Sequence, residues 1–481
     1  MTDQNDAQRW MGAFALEGDS DQDMAAAELN YHPRDGIFVR TLTWTGSEQR
    51  LPRQVRRRYP ALKGVIEGTR RCTVLHAFET SLDGSRYEQS HIVGNAILLD
   101  GFCDDPVAPA FRQMQFRSPA FTAIANPRGV NVDFVRSRRR AKIVAEPRKA
   151  IEASWGQHKL AISSLMNVPG KQAFDGTFLI AERPYLEVHF AYAVSFDEIL
   201  RITAALEFFA CVGDGAFSGP PEVSLWSDPA PPKPKRGRPP NMPRKAGELL
   251  LSQSWYKRTE AKHSFRRTIL LDGLALNPLT VVSRWLDLSK KVERPMTLFH
   301  AASETPNVET RFLFLVQALE GLHRTLDNRP GIDQGEFERG VAAMITALPT
   351  DLSLEARRFL KDRAPHHNEL GLSGRLKDYG DRVTNVIPQA LPGFSKDRRG
   401  IIDLRNEFSH ALPTDLKINL EKYGQRLIYY SEILRLLFEF NLLYYLDLDP
   451  IRLRNAFAYT RAFENLARAR KQLLVEDAAE K

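Results

Sequence analysis

The stretch Arg398-Arg399-Gly400-Ile401-Ile402-Asp403-Leu404-Arg405-Asn406-Glu407-Phe408-Ser409-His410-Ala411-Leu412 decides how the C-terminal third of the chain is read. It predicts a helix that Pro413 stops, because proline has no N–H to continue the ladder. After it, residues 416 to about 446 are rich in Leu, Ile, Tyr and Phe and predict a long apolar helix. Upstream, Val308–Leu326 places Phe312, Leu315, Val316, Leu319 and Leu322 at three- and four-residue spacing, the signature of a helix with one buried face. Further helices are predicted over Glu336–Ala347 and Leu354–Leu360. Together these describe an all-α bundle over residues 297–449. Residues 450–481 follow as a basic C-terminal helix and tail, the helix spanning Ile451–Leu474.

Outward from the bundle the texture changes. Residues 37–226 hold short β-leaning runs, among them Arg71–Phe78, His91–Leu99, Thr177–Ile180 and Tyr185–Val194. In the last of these Leu186, Val188, Phe190 and Tyr192 alternate with their neighbours, as in a half-buried strand. Gly, Pro and Asp separate the runs, which predicts an antiparallel sheet or barrel-like domain. One helix interrupts it, capped by Asp197 and closed near Gly213. Residues 1–36 read as a polar, turn-rich segment. Residues 227–245, with seven prolines in nineteen positions, read as an extended linker. Residues 246–296 mix both signals and read as the remainder of the N-terminal region or a connection, with a helix over Thr280–Leu288. The expected fold class is α+β: a β-rich N-terminal domain followed by a helical bundle.

The chain has 481 residues, 43% of them apolar and 26% charged, an ordinary globular composition that excludes fibrous or wholly disordered classes. Cys72, Cys103 and Cys211 are too scattered for a disulfide framework or a cysteine zinc site. No apolar run approaches membrane-spanning length, and the first residues do not read as a signal peptide; a cytoplasmic protein without membrane contact is expected. Phosphate-loop, dinucleotide-binding, metalloprotease and serine-hydrolase motifs do not occur. The adjacent His366-His367 has no ligand partner at metal spacing, so neither metal nor cofactor is expected. The net charge of +8 is unevenly placed. Residues 53–71 and 136–149 each carry seven basic residues against one acid, and 233–245 carry six against none. Residues 300–449 instead hold 19 Lys+Arg against 22 Asp+Glu. Clustered basic segments suit phosphates, or else form solvated loops.

Arg405-Asn406-Glu407-Phe408-Ser409-His410, placed on a bundle helix, resembles the R-x4–6-H motif of HEPN ribonucleases. The long helix after it and the run Phe314–His323 containing Glu320 also look like that family. The resemblance is most specific to the Apea-like HEPN group, in which a β-rich domain precedes the bundle; Gly64–Leu75 is similar to that N-terminal domain. The likeness spans residues 37–446. It implies a bacterial antiviral endoribonuclease acting by abortive infection, cutting host RNA such as tRNA when a phage-derived trigger is sensed. It also implies a homodimer formed through the bundle.

The residue chemistry agrees. Cutting RNA without a metal needs proton transfer at the 2′-hydroxyl and at the 5′-leaving oxygen, and cationic donors for the phosphorane oxygens. Histidine titrates near neutrality, and His410 sits near a helix C-terminus, where the macrodipole favours imidazolium. Arg405 offers a planar fork to phosphate, Asn406 would position phosphate or His410, and Glu320 either orients a motif side chain or is a surface acid. His323 reads as structural or exposed. Positions five apart differ by about 140° on a continuous helix, so Arg405 and His410 meet only across a dimer or through a bent helix end. The bland alternative pairs Arg405 with Glu407 and leaves the histidine exposed. A second motif, Lys235-Arg236-Gly237-Arg238-Pro239, resembles the core of an AT-hook for the minor groove of A·T-rich DNA. It supports a rival reading as a non-enzymatic nucleic-acid-binding protein; a third possibility is a HEPN scaffold that does not cleave.

Overall fold

The computed structural model describes residues 7–15, 24–33, 35–44, 57–83, 87–125, 130–135, 140–145, 150–167, 181–214, 220–227, 247–251, 271–327, 329–349, 351–363, 368–409, 420–457 and 461–479. The chain forms two compact units, residues 1–287 and 288–481. The strands are β1 (Gln8–Ala15), β2 (Met24–His32), β3 (Gly36–Trp44), β4 (Arg58–Ile66), β5 (Arg70–Asp83), β6 (Tyr87–Gly94), β7 (Ala96–Leu99), β8 (Phe111–Arg117), β9 (Val130–Val135), β10 (Arg140–Ala145), β11 (Ile151–Trp155), β12 (His158–Asn167), β13 (Ala181–Val194), β14 (Glu222–Trp226) and β15 (Gly247–Leu251). The helices are α1 (Pro119–Ala125), α2 (Phe196–Asp214), α3 (Leu271–Leu274), α4 (Pro278–Lys291), α5 (Glu293–Glu304), α6 (Val308–Leu326), α7 (Gln334–Thr346), α8 (Leu354–Arg363), α9 (Leu372–Val386), α10 (Phe394–Ser409), α11 (Leu420–Tyr444), α12 (Pro450–Phe457) and α13 (Arg461–Ala479).

The first unit is built on a closed antiparallel barrel. Pairing runs β5–β4–β1–β2–β3–β6 and back to β5, so these strands leave no edge unpaired. Period-two alternation fills it: Trp10, Phe14, Leu29, Tyr31, Ile37, Val39, Leu62, Val74 and Ile92 point inward. β5 serves two partners. Its first half pairs with β7, its second half with β6, and between them His76 adopts a positive φ of 50°. Beyond β7 the sheet continues through β15, β14, β8, β13, β12 and β11, while β9 and β10 pair separately.

Helices cover this extension. Trp285 of α4, fully enclosed, stacks on Phe208 of α2 with ring centroids 5.7 Å apart and donates its indole N–H to the Ala205 carbonyl at 2.7 Å. Next to Phe208 in α2, Glu207 is only 3% exposed. Ser118 hydrogen-bonds to it, and its other oxygen has no partner among the described residues. Burial pushes its carboxyl up to about 8, because a carboxylate there would lose its hydration.

Several expectations change on contact with the structure. Residues 1–36 are not a separate polar segment, since β1 and β2 are barrel staves. Their polar residues alternate with buried Trp10, Phe14, Leu29 and Tyr31. The cap of α2 is Ser195, whose hydroxyl accepts from the Glu198 N–H at 3.2 Å; Asp197 already belongs to the first turn, where it meets His76 at 2.7 Å. In β13, Leu186, Val188 and Phe190 are buried, but Tyr192 is exposed. Residues 246–296 hold β15, α3 and α4, and the division between units falls within α4. The C-terminal helical stretch is described as α12 and α13, with residues 458–460 outside the described residues. The run at 177–180 and the segment containing Lys235, Arg236, Gly237, Arg238 and Pro239 lie outside the described residues. No helix among the described residues is long and apolar enough to cross a membrane.

Glu207 yields a pH signature. Its folded pKa lies above the unfolded value, so the unfolded chain releases the proton first and stability falls as pH rises between about 4.5 and about 8. Glu207→Gln is expected to flatten the thermal stability of this unit over that window, gaining on the order of a few kcal/mol near pH 8. Parallel pH profiles of the two proteins would expose a wrong assignment.

Candidate active site

The motif helix is held from three sides. Its inward stripe is Ile401, Leu404 and Phe408, spaced for one face of a helix. Phe408 sets its ring edge-on to Phe312 of α6 with centroids 6.1 Å apart. Two glycines let neighbouring helices come close. A Cβ on Gly400 would collide with the ring and hydroxyl of Tyr430 on α11, and one on Gly380 of α9 would collide with Phe394 at the start of α10. At that end Asp397 accepts the Tyr429 hydroxyl at 2.9 Å. Burial raises the Asp397 carboxyl above its ordinary range, against the opposing pull of Tyr429, Arg470 and Lys396.

Arg405 follows the inward stripe and lies on the rim of the helix, half-buried. Its Nη1 donates to Asn406 Oδ1 at 3.2 Å. Among the described residues it makes no ion pair, so the simple Arg405–Glu407 bridge is not formed. Asn406 and Glu407 are exposed. His410 is the first residue past the described end of α10, so its approach to Arg405 lies outside the described residues, as do His366 and His367. Glu320 on α6 is half-buried. Its carbonyl accepts from Arg375 at 3.3 Å, and its carboxylate has no partner among the described residues. It stands eight residues, about 12 Å, along α6 from Phe312, and no contact joins it to Arg405.

A second polar cluster was not anticipated. His323 is 1% exposed and meets Asp378 of α9 at 3.1 Å and Asp327 at 3.7 Å. Asp378 also binds Arg329. Asp327 accepts from Arg382 at 2.8 Å and from the Tyr445 hydroxyl, and Arg382 donates to Tyr445 at 2.6 Å. Burial lowers the imidazole of His323 despite the two carboxylates. Burial raises Asp327, but hydrogen bonds from Arg382 and Tyr445 outweigh it and leave the carboxyl below its ordinary value. This network ties α6, α9 and the end of α11 together, about 17–22 Å along α6 from Phe312; its role is structural. It went unseen because α9, with Gly374 and Gly380, gives a weak helix signal.

The basic residues of 53–71 are partly engaged. Lys63 pairs with Asp104 at 2.5 Å, Arg70 with Asp100 at 2.8 Å, and Arg71 lies 5.2 Å from the centre of the Phe102 ring. Among the described residues no three His, Cys, Asp or Glu side chains are grouped to hold a metal.

Comparison with known families agrees with this architecture. Residues 313–450 match the Apea-like HEPN family, and residues 9–239 match ApeA N-terminal domain 1. The first match runs from within α6 through α11, and the second takes in the barrel from Arg9 onward. Together they take in well over half of the chain, which belongs to the Apea-like HEPN family. No curated protein and no solved structure matches it.

The helix-packing glycine is testable. Gly400→Ala is expected to destabilise the bundle by about 1–3 kcal/mol in urea denaturation, since the gain in helix propensity is smaller than the cost of overpacking. Tyr430→Ala in the same chain should recover part of that loss, a favourable coupling that independent sites would not show.

Proposed function

We propose that this chain is a metal-independent endoribonuclease of antiphage defence that acts by abortive infection. It cuts host RNA, with tRNA as the expected target, when a phage-derived trigger is sensed. The family to which it belongs is one of antiphage HEPN nucleases, and HEPN domains are generally RNase-type, RNA-binding and dimeric. The observation that carries the finer reading is the Arg405…His410 spacing inside the matched bundle. A guanidinium on the rim of α10, committed among the described residues only to its neighbour Asn406, supports it.

In this scheme a 2′-hydroxyl attacks the adjacent phosphorus and the 5′-oxygen leaves. One proton departs from the 2′-oxygen and one arrives at the 5′-oxygen, giving a 2′,3′-cyclic phosphate and a 5′-hydroxyl. Arg405 stabilises the charge on the phosphorane oxygens. His410 transfers a proton as general acid or base, and Asn406, already bonded to Arg405, positions the fork or the phosphate. A dimer supplies two copies of the motif to one cleft. The slightly acidic bundle leaves attraction of RNA to basic segments elsewhere in the chain.

His410→Ala and Arg405→Ala are each expected to lower RNA cleavage by the purified protein about 100-fold or more. Each should also abolish growth arrest on phage challenge, with melting temperatures unchanged. Wild-type cleavage rates in either variant would sink the assignment. Retained RNA binding without cleavage by the wild type would identify a non-cleaving scaffold instead.

A further inference from the structure

The outer wall of the barrel carries two exposed aromatic rings. Phe38 of β3 is 43% exposed and Phe78 of β5 is 44% exposed, whereas their neighbours Ile37, Val39 and Ala77 are buried inside. Strand register places both opposite the same residue, Val93 of β6. Phe38, Val93 and Phe78 therefore stand in one row across three adjacent strands, with the two aromatic positions about 10 Å apart. Arg58 of β4 lies opposite Phe78 and extends the row. In the next row Arg40 of β3 lies opposite His91 of β6.

Charge decides what such a face can take. Arg40 and Arg58 are exposed, and neither makes an ion pair among the described residues. Glu28, directly opposite Arg40, feels its charge, but its hydrogen bonds come from Arg9 at 2.7 Å and Asn30 at 2.8 Å. With Val93 between them the rings form one short apolar row, bordered by Asn30, Arg58, Arg40 and His91, narrower than the apolar patches that dock proteins. Flat rings on a sheet, bordered by guanidinium groups, suit unpaired bases that stack and phosphates that pair with arginine.

We propose that the β3–β6–β5 face is a binding platform for a single strand of RNA. Phe38 and Phe78 act as stacking seats, and Arg40 and Arg58 act as phosphate contacts. It adds a recruiting surface on the first unit to the nuclease reading and rests on that reading only for the choice of RNA. Binding here requires neither Arg405 nor His410.

The test is fluorescence anisotropy with a labelled 12-nucleotide oligouridine at 0.1 M salt. The full chain carries His410→Ala so that the probe stays intact. Phe38→Ala/Phe78→Ala is expected to weaken binding about tenfold or more, while Phe38→Trp/Phe78→Trp retains it. Arg40→Ala/Arg58→Ala should reduce the salt slope by about 1.4. Duplex RNA of the same length should be indifferent to the phenylalanine changes, because its bases are not free to stack. Equal affinity of wild type and Phe38→Ala/Phe78→Ala for the single strand, with unchanged melting, overturns the proposal. Absence of single-strand binding by both also overturns it and marks the ring pair as a protein-docking face. Cleavage is assayed separately in the chain with His410 intact. A protein that binds through the rings but never cuts RNA keeps the platform and loses the nuclease.

Discussion

A helix that is apolar on nearly every side has to be wrapped, and α11 imposes that constraint on the second unit. Leu427, Ile433, Leu434, Leu436, Leu437, Phe438, Phe440, Leu442 and Leu443 are all buried, and no single stripe could hold them. Three elements against it can be named from specific contacts. Phe299 of α5 stacks on Phe438 at 4.3 Å, Phe457 of α12 meets Phe440 edge-on at 5.4 Å, and α10 closes in where Gly400 faces Tyr430. Even its charges are settled locally: Arg435 donates to Glu439 one turn on, at 2.8 Å, which offsets part of their burial. The motif helix has its position because α11 needs a cover there.

The barrel obeys a different constraint. Closure demands that every inward residue be apolar and every stave have two partners, and β5 satisfies this while also feeding β7. The irregularity at His76 is how it does so: a residue in the left-handed region changes which face the following side chains point to. Cys72 and Val74 point inward before it, and Ala77 does so after it. Phe78 is thereby turned outward beside Val93. The platform row is thus a by-product of the bend that lets one strand serve two sheets.

Where a sequence signal was periodic and its consequence local, it could be read directly. The spacing of Phe312, Leu315, Val316, Leu319 and Leu322 predicts α6 with the bounds it has, and the alternation of Leu186, Val188 and Phe190 predicts a strand. Signals failed where tertiary context overrides propensity. In β1 the inward Trp10 and Phe14 are diluted by Arg9, Met11 and Gly12, and closure of the barrel, invisible locally, makes them a stave. In α9 two glycines argue against a helix, yet Gly380 is there because Phe394 needs the space. His323 looked incidental since its partners, Asp378 and Asp327, come from another helix and another turn. Of the candidate site, Arg405 and Asn406 were legible as a motif. The face they occupy was not, because it depends on which side of α10 meets Phe312.

In the proposed scheme charge ties the two units to one substrate class without putting the charge at the chemistry. A bundle with more acids than bases does not collect RNA by its own field, and a nuclease that did so would be hard to hold inactive. Long-range attraction falls off within about 10 Å at ordinary salt, so basic residues on the first unit act on whatever strand touches that unit. Lys63 and Arg70 are neutralised by carboxylates of their own domain, whereas Arg40 and Arg58 are left facing solvent beside the exposed rings. Sequence counts treat these four cations alike; the structure separates them into two held in ion pairs and two exposed ones with no ion pair among the described residues. In the proposed scheme affinity and reaction fall to different surfaces, so each can change without the other.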